Sequence, residues 1–286
     1  MPQHFVAPPQ WEWYIVWYFF LGGIAGGLYL IGTVLRLVGD ERDVPVWRLA
    51  FLLTLPVLVI CPILLTLDLG RPLRFWHMLV NSRTLSLNFK YWSPMSVGVW
   101  VLLIFGAFAF VSFLEAVVGE ERFRLLRGSF GRLFMVVGAF FGVFLAGYTG
   151  VLLSVSNQPI WSDTWALGGL FLASGLSVAA AALGLLARVS APAPTTEAKL
   201  HRADRYFIVL ELLLLLVFFV GLGAIGASFL QARWLILWAL VLAGTLVPLA
   251  LLRSAYSGRA AVLASCLVLV GGLALRIVVI FGAQMS

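Results

Sequence analysis

Long apolar runs, broken by short polar segments rich in Gly, Pro, Ser and Asp, recur eight times along the 286 residues. A hydrocarbon layer about 30 Å thick needs roughly 20 helical residues at about 1.5 Å each. Runs near 13–38, 47–67, 93–117, 130–154, 164–188, 204–228, 233–252 and 259–282 reach that length. Backbone groups in lipid need partners within the chain, so spans are helices or closed barrels, and none of these runs has the alternation of a barrel strand. The pattern predicts an all-α integral membrane protein of eight transmembrane helices arranged as two four-helix bundles. One bundle would cover 1–158 and the other 159–286, divided at the short connection Ser154–Asp163, SVSNQPIWSD.

The punctuation adds detail. Ser93-Pro94 sets a capping hydroxyl before a proline at the first helical position, and Asp163-Thr164 and Asp204 offer similar starts. Trp11, Trp13, Tyr14, Trp17 and Tyr18 crowd the first span, and Trp161, Trp165, Trp234 and Trp238 flank others, as aromatic belts at the headgroup level do. Ala187–Arg205, ARVSAPAPTTEAKLHRADR, has the Ala/Pro/Thr content of a linker.

Composition agrees with lipid as the solvent: 62% of residues are hydrophobic and 11% charged, with a mean hydropathy of +1.05. The net charge of +7 sits in short loops and forms no single patch, which excludes a nucleic-acid partner and leaves orientation as its role. Loops after the odd-numbered spans hold thirteen Lys and Arg and the other side holds five, with Arg276 inside the last span. The positive-inside rule therefore puts Ala187–Arg205 in the cytoplasm and both termini outside the cytoplasmic membrane. Four of the five outside bases, Arg71, Arg74, Arg83 and Lys90, fall in one polar stretch, Leu67–Ser93, beside Phe75, Trp76 and Tyr91. Arginine and aromatic anchors of this kind dominate protein interfaces, so the loop is expected to dock a partner.

Cys61 and Cys266 lie alone in apolar runs, and His4, His77 and His201 fall outside the predicted spans. The chain thus lacks the ligand sets of an iron–sulfur cluster, a structural zinc or a membrane-embedded haem, and is expected to hold no catalytic metal of its own. GLGAIG at Gly221–Gly226 matches a dinucleotide fingerprint only in letters, since it follows a membrane span and Leu246 stands where an acid is required. Gly22, Gly23 and Gly26 in GGIAGG, like the series Gly138, Gly142, Gly147 and Gly150, have helix-packing spacing. The same spacing also lets a flat ring lie against a helix.

Ionisable groups inside spans are costly and mark function by default. Glu115, near the cytoplasmic end of the third span, either snorkels to water or serves a proton path; Glu211, about two turns inside the sixth, is a proton-path residue or half of a buried structural pair. Span order brings Asp68, Arg71, His77, Tyr148 and Arg276 to one depth near the outer face. A Tyr or His can donate to a ring carbonyl there, and a His–carboxylate pair can move protons. Taken singly, Asp68 with Arg71 also reads as an interfacial ion pair and Tyr148 as an interface aromatic. Glu211 and Arg276 also suggest a different class, a secondary transporter with a midplane site.

LGGIAGGLYL at 21–30, LDLGRP at 67–72 followed by RFWHML, SPMSVGVW at 93–100 and GYTG at 147–150 together resemble the NrfD/polysulfide-reductase membrane-subunit family. The resemblance implies a metal-free subunit that binds menaquinone or ubiquinone near the outer face. It also implies a ferredoxin-like four-cluster iron–sulfur subunit as partner and a molybdopterin catalytic subunit beyond it. By that likeness Tyr148 is the quinone-contacting tyrosine and Asp68 and His77 are rim residues. The expected function is a quinone/quinol-reactive anchor of an oxidoreductase complex, passing electrons between the membrane quinone pool and the iron–sulfur partner in either direction, with proton transfer through Asp68, His77 and Tyr148.

Overall fold

The computed structural model describes residues 10–82, 84–119, 122–123, 126–190, 193–254 and 258–284, with backbone alone at 224, 227, 228 and 252–254. Eight long helices account for most of it: α1 Trp13–Val38, α2 Val44–Asp68, α3 Pro94–Val118, α4 Gly128–Ser154, α5 Leu167–Ser190, α6 Pro194–Leu222, α7 Leu235–Ser254 and α8 Gly258–Gln284. Each is long and apolar enough to cross a membrane. Among the described residues there is no strand, only an isolated bridge between Val80 and Leu87. The chain is a multi-pass integral membrane protein.

Local chemistry explains the starts of α2, α3 and α6. Ser93 Oγ accepts from the Ser96 amide at 3.5 Å while Pro94 takes the first helical position of α3. Ahead of α2, Asp40 accepts from the Arg42 amide at 3.0 Å and Asp43 accepts from the Asp40 amide at 2.9 Å, closing a capping box over the turn Glu41–Asp43. The linker expected at Ala187–Arg205 is instead mostly helix, since α5 runs on to Ser190 and α6 begins at Pro194. Pro194 is tolerated at the first position and Glu197 suits the positive end of the helix. Thr196, Leu200, His201 and Asp204 then bury one face of this extension. Asp204 is therefore an interior residue of α6 and not a helix start.

α1 packs on α2, α4 and α5 and touches α8, and α5 packs on α4, α6 and α8, so contacts run freely between 1–158 and 159–286. Missing side chains make the crossings close. A Cβ on Gly26 would run into the Gly142 carbonyl of α4, and one on Gly23 would lie 3.2 Å from the Gly175 Cα of α5. In lipid, where apolar surface gains nothing by leaving the solvent, such backbone approach is what holds helices together.

The aromatic belt holds only in part. Trp13, Tyr14, Trp17 and Trp165 are exposed, but Tyr18, Trp161, Trp234 and Trp238 are buried. The Trp161 indole donates to the Val279 carbonyl at 2.8 Å and Trp238 to that of Phe229 at 2.8 Å, so these rings are core pieces with a satisfied polar end. Trp11 stacks on Trp161 at 5.1 Å, and its amide donates to Gln284 Oε1 at 3.0 Å. Gln158 donates to the Ala283 carbonyl at 2.6 Å. The start of α1, the α4–α5 connection and the end of α8 thus meet at one end of the bundle, the terminal face, which the α2–α3 connection shares.

Candidate functional site

The α2–α3 connection is a folded cap. Pro72–Met78 forms a 3-10 helix, and the following hairpin is closed by the Asn81 amide on Ser86 O at 2.9 Å and the Asn88 amide on Leu79 O at 2.8 Å. Asn88 pins both ends: its side chain donates to His77 O at 3.1 Å, and its carbonyl accepts from Ser96 Oγ at 3.4 Å and Trp100 Nε1 at 3.5 Å on α3. Arg71, Arg74, Trp76 and Lys90 are exposed around this cap, with Phe75, Leu85, Leu87, Phe89, Tyr91 and Trp92. Arg83, expected among the docking bases, lies outside the described residues.

Beneath the cap, α2 separates two environments. On the side toward α3 is a cavity of about 500 Å³. Leu58, Pro62 and Thr66 of α2, Leu102 and Gly106 of α3, and Phe75 of the cap are among the residues of its almost wholly apolar wall. Pro56 and Pro62 interrupt the amide ladder of α2 along this stretch, which bends or loosens a helix. A Cβ on Gly106 would meet nothing within 4 Å, so this glycine faces open space.

On the other side is a polar corner. Asp68 ends α2, half-buried, with Glu12 within electrostatic reach. No ion pair joins Asp68 to Arg71 among the described residues, so the interfacial pair is absent. Cys61, two helical turns earlier on the same face of α2, neighbours Tyr18, which in turn neighbours Tyr148. The Tyr148 hydroxyl donates to the Pro94 carbonyl at 2.6 Å, and its ring fills the space beside Gly98. Tyr148 is therefore an inner residue behind α3 and does not line the apolar cavity. His77 is half-buried in the cap with its ring 4.0 Å from that of Trp76.

The remaining candidates lie elsewhere. Gly22, Gly23 and Gly26 are all buried, Gly23 and Gly26 in helix crossings, with Gly23 beside the Arg276 guanidinium. Glu115 does not snorkel to water: it is buried in a two-toothed ion pair with Arg36, whose second nitrogen donates at 2.7 Å and whose guanidinium lies 4.7 Å over the Trp47 ring. Among the described residues, Arg276 makes no bond to Asp68, Arg71, His77 or Tyr148. It is fully buried among α1, α5 and α8, donating to Ser174 Oγ at 2.8 Å, Gly272 O at 2.7 Å and Phe171 O at 3.3 Å. Ser174 also bonds Glu211, which stands at the middle of α6 now that the helix starts at Pro194. One helical turn from Ser174, Ser177 donates to Asp204 at 2.6 Å. Sequence reasoning missed Ser174, Ser177 and Asp204 as a set. Serines at i and i+3 facing acids at i and i+7 are a usable signal only once the register of α6 is known.

The chain matches the family described as "Polysulphide reductase, NrfD" across residues 2–286. It is similar to Protein NrfD of Escherichia coli (strain K12), 26% identical over 313 aligned positions that cover 96% of this chain and 95% of that protein. It is also similar to the C chain of the polysulfide reductase of Wolinella succinogenes, 28% identical over 235 positions that cover 76% and 72% respectively. Protein NrfD homolog of Haemophilus influenzae is 26% identical, with 96% and 95% covered.

Proposed function

Because the chain belongs to the polysulphide reductase NrfD family, and is thus akin to membrane subunits of reductase complexes, we propose that it is the quinone-reactive membrane subunit of an oxidoreductase complex. The observation that carries this reading is the apolar cavity of about 500 Å³ between α2 and α3, roofed by the cap. Its size falls in the range of small-molecule sites, roughly 300–1,000 Å³. Its wall suits a prenyl chain entering from lipid, and Thr66 supplies a hydroxyl near the roofed end. Menaquinone and ubiquinone both fit that description.

A bound quinol supplies two electrons and two protons. Asp68, at the end of α2 and half-buried with no ion-pair partner among the described residues, accepts a proton. His77 passes protons between the cap and water at the terminal face. Tyr148 supports the corner from behind α3 through its bond to Pro94. Electrons leave toward an iron–sulfur partner seated on the cap, held by Arg71, Arg74, Trp76, Arg83 and Lys90. By family likeness that partner is a ferredoxin-like four-cluster subunit, with a molybdopterin subunit beyond it. The excess of Lys and Arg in the odd loops sets this face, with both termini, outside the cytoplasmic membrane. Glu211, Ser174, Arg276, Ser177 and Asp204 form a buried hydroxyl–carboxylate series suited to proton transfer from the opposite face.

Gly106→Trp tests the cavity, because Gly106 lines it and a side chain added there meets nothing within 4 Å. In lipid nanodiscs the variant should keep the wild-type melting temperature and retain at least tenfold less quinone. Wild-type retention by a folded variant would remove the quinone from this cavity.

A further inference from the structure

The face opposite the termini carries a second cavity, about 210 Å³, where the last turn of α1 meets the first turn of α4. Arg36, Arg127 and Arg132 form its rim above Leu37, Leu126 and Met135, and no carboxylate lines it among the described residues. Arg36 and Arg132 do different work. Arg36 is committed to Glu115 and to the Trp47 face. Arg132 is exposed, and no acidic residue pairs with it among the described residues. The first turn of α4 contains no acid, so the partial positive charge at that helix end adds to the arginines.

The apolar surroundings decide what kind of anion fits. On α4, Phe130, Leu133 and Val136 are exposed and follow one another at helical spacing away from the basic rim. This strip leads from the arginines into the hydrocarbon. Cations at headgroup depth above a lipid-facing strip match a phosphodiester joined to acyl chains. A soluble phosphate would use the rim and leave the strip without a role. We propose that this cavity binds one anionic phospholipid, its phosphate between Arg127 and Arg132 and an acyl chain along Phe130, Leu133 and Val136. The site stands apart from the quinone cavity and does not depend on that reading.

The test is lipid retention by the full-length protein in nanodiscs of phosphatidylcholine with and without phosphatidylglycerol, followed by native mass spectrometry. The expected result is one phosphatidylglycerol held per protein molecule in preference to phosphatidylcholine. Arg127→Gln with Arg132→Gln should weaken it by about 5-fold for each charge removed. Arg259→Gln, an exposed arginine at the start of α8 on the same face, should leave retention unchanged. Arg132→Gln alone serves if the double variant folds poorly, since no described acid pairs with it. Equal retention of the two lipids, or an equal loss in the Arg259 variant, would reduce the effect to general surface charge and overturn the site. Displacement of the lipid by millimolar inorganic phosphate would make this a soluble-anion site and overturn the lipid assignment.

Discussion

Glu115 and Asp68 are both carboxylates in membrane helices, and the fold treats them in opposite ways. Glu115 is closed: Arg36 meets both of its oxygens, Trp47 covers the guanidinium, and Arg48 donates to the Ala116 carbonyl at 3.0 Å one residue on. Asp68 is open, half-buried at the end of α2 with another acid nearby and no ion-pair partner among the described residues. Both kinds of group are expensive in lipid, but only the first has its charge balanced by the fold. A balanced buried charge records a packing solution. An unbalanced one at the end of a membrane helix, across α2 from an apolar cavity, is the place to look for chemistry.

The largest effect should come from opening the closed pair. Glu115→Ala removes the carboxylate that meets Arg36 through both of its oxygens and should cost about 3–5 kcal/mol of stability, the usual penalty for removing one partner of a buried pair. It would be measured as the unfolding free energy of the protein in mixed micelles. Arg36→Met combined with Glu115→Leu should recover most of the loss. A single variant as stable as wild type would mean that water reaches Glu115 and that the contrast with Asp68 is false.

Asp68→Asn should behave in the reverse manner. Nothing is paired to it among the described residues, so stability should change by no more than about 0.5 kcal/mol. Quinol turnover of the assembled complex should fall about 100-fold if the carboxyl takes the proton, while dye-linked activity of the partner stays intact. Loss of assembly together with turnover would make Asp68 a structural group.

The contrast between these acids was only partly legible in the sequence. The apolar runs revealed all eight helices, and Ser93-Pro94 marked the start of α3, because hydropathy and capping are local properties. The start of α6 was hidden because Thr196, Glu197 and His201 read as polar linker until their burial against the bundle is known. Pairing is a property of packing, and it was hidden altogether. Arg36 and Glu115 are 79 residues apart, and Arg276 reaches Ser174 across 102, so no spacing rule joins them. Trp161 misled for a related reason: a tryptophan near a span end suits the headgroup region equally well until a carbonyl such as that of Val279 is seen to take its N–H.

The smallest expected effect belongs to Tyr148, which lies between the two extremes because its hydroxyl is used but not charged. Tyr148→Phe removes the bond to Pro94 and should cost about 0.5–1.5 kcal/mol of stability. As a supporting residue behind α3, it should lower quinol turnover only several-fold. A loss as deep as that of Asp68→Asn would move the ring to the inner side of α2.

Photolabelling the intact protein in nanodiscs with an azido-quinone, and locating the adduct by peptide mass spectrometry, asks whether the quinone lies between α2 and α3 under the cap. Label is expected on α2 between Leu55 and Leu69 and on the cap between Phe75 and Leu79, removed by excess unlabelled quinone and by Gly106→Trp. Competable label confined to α5, α6 or α8 would place the quinone elsewhere in the bundle.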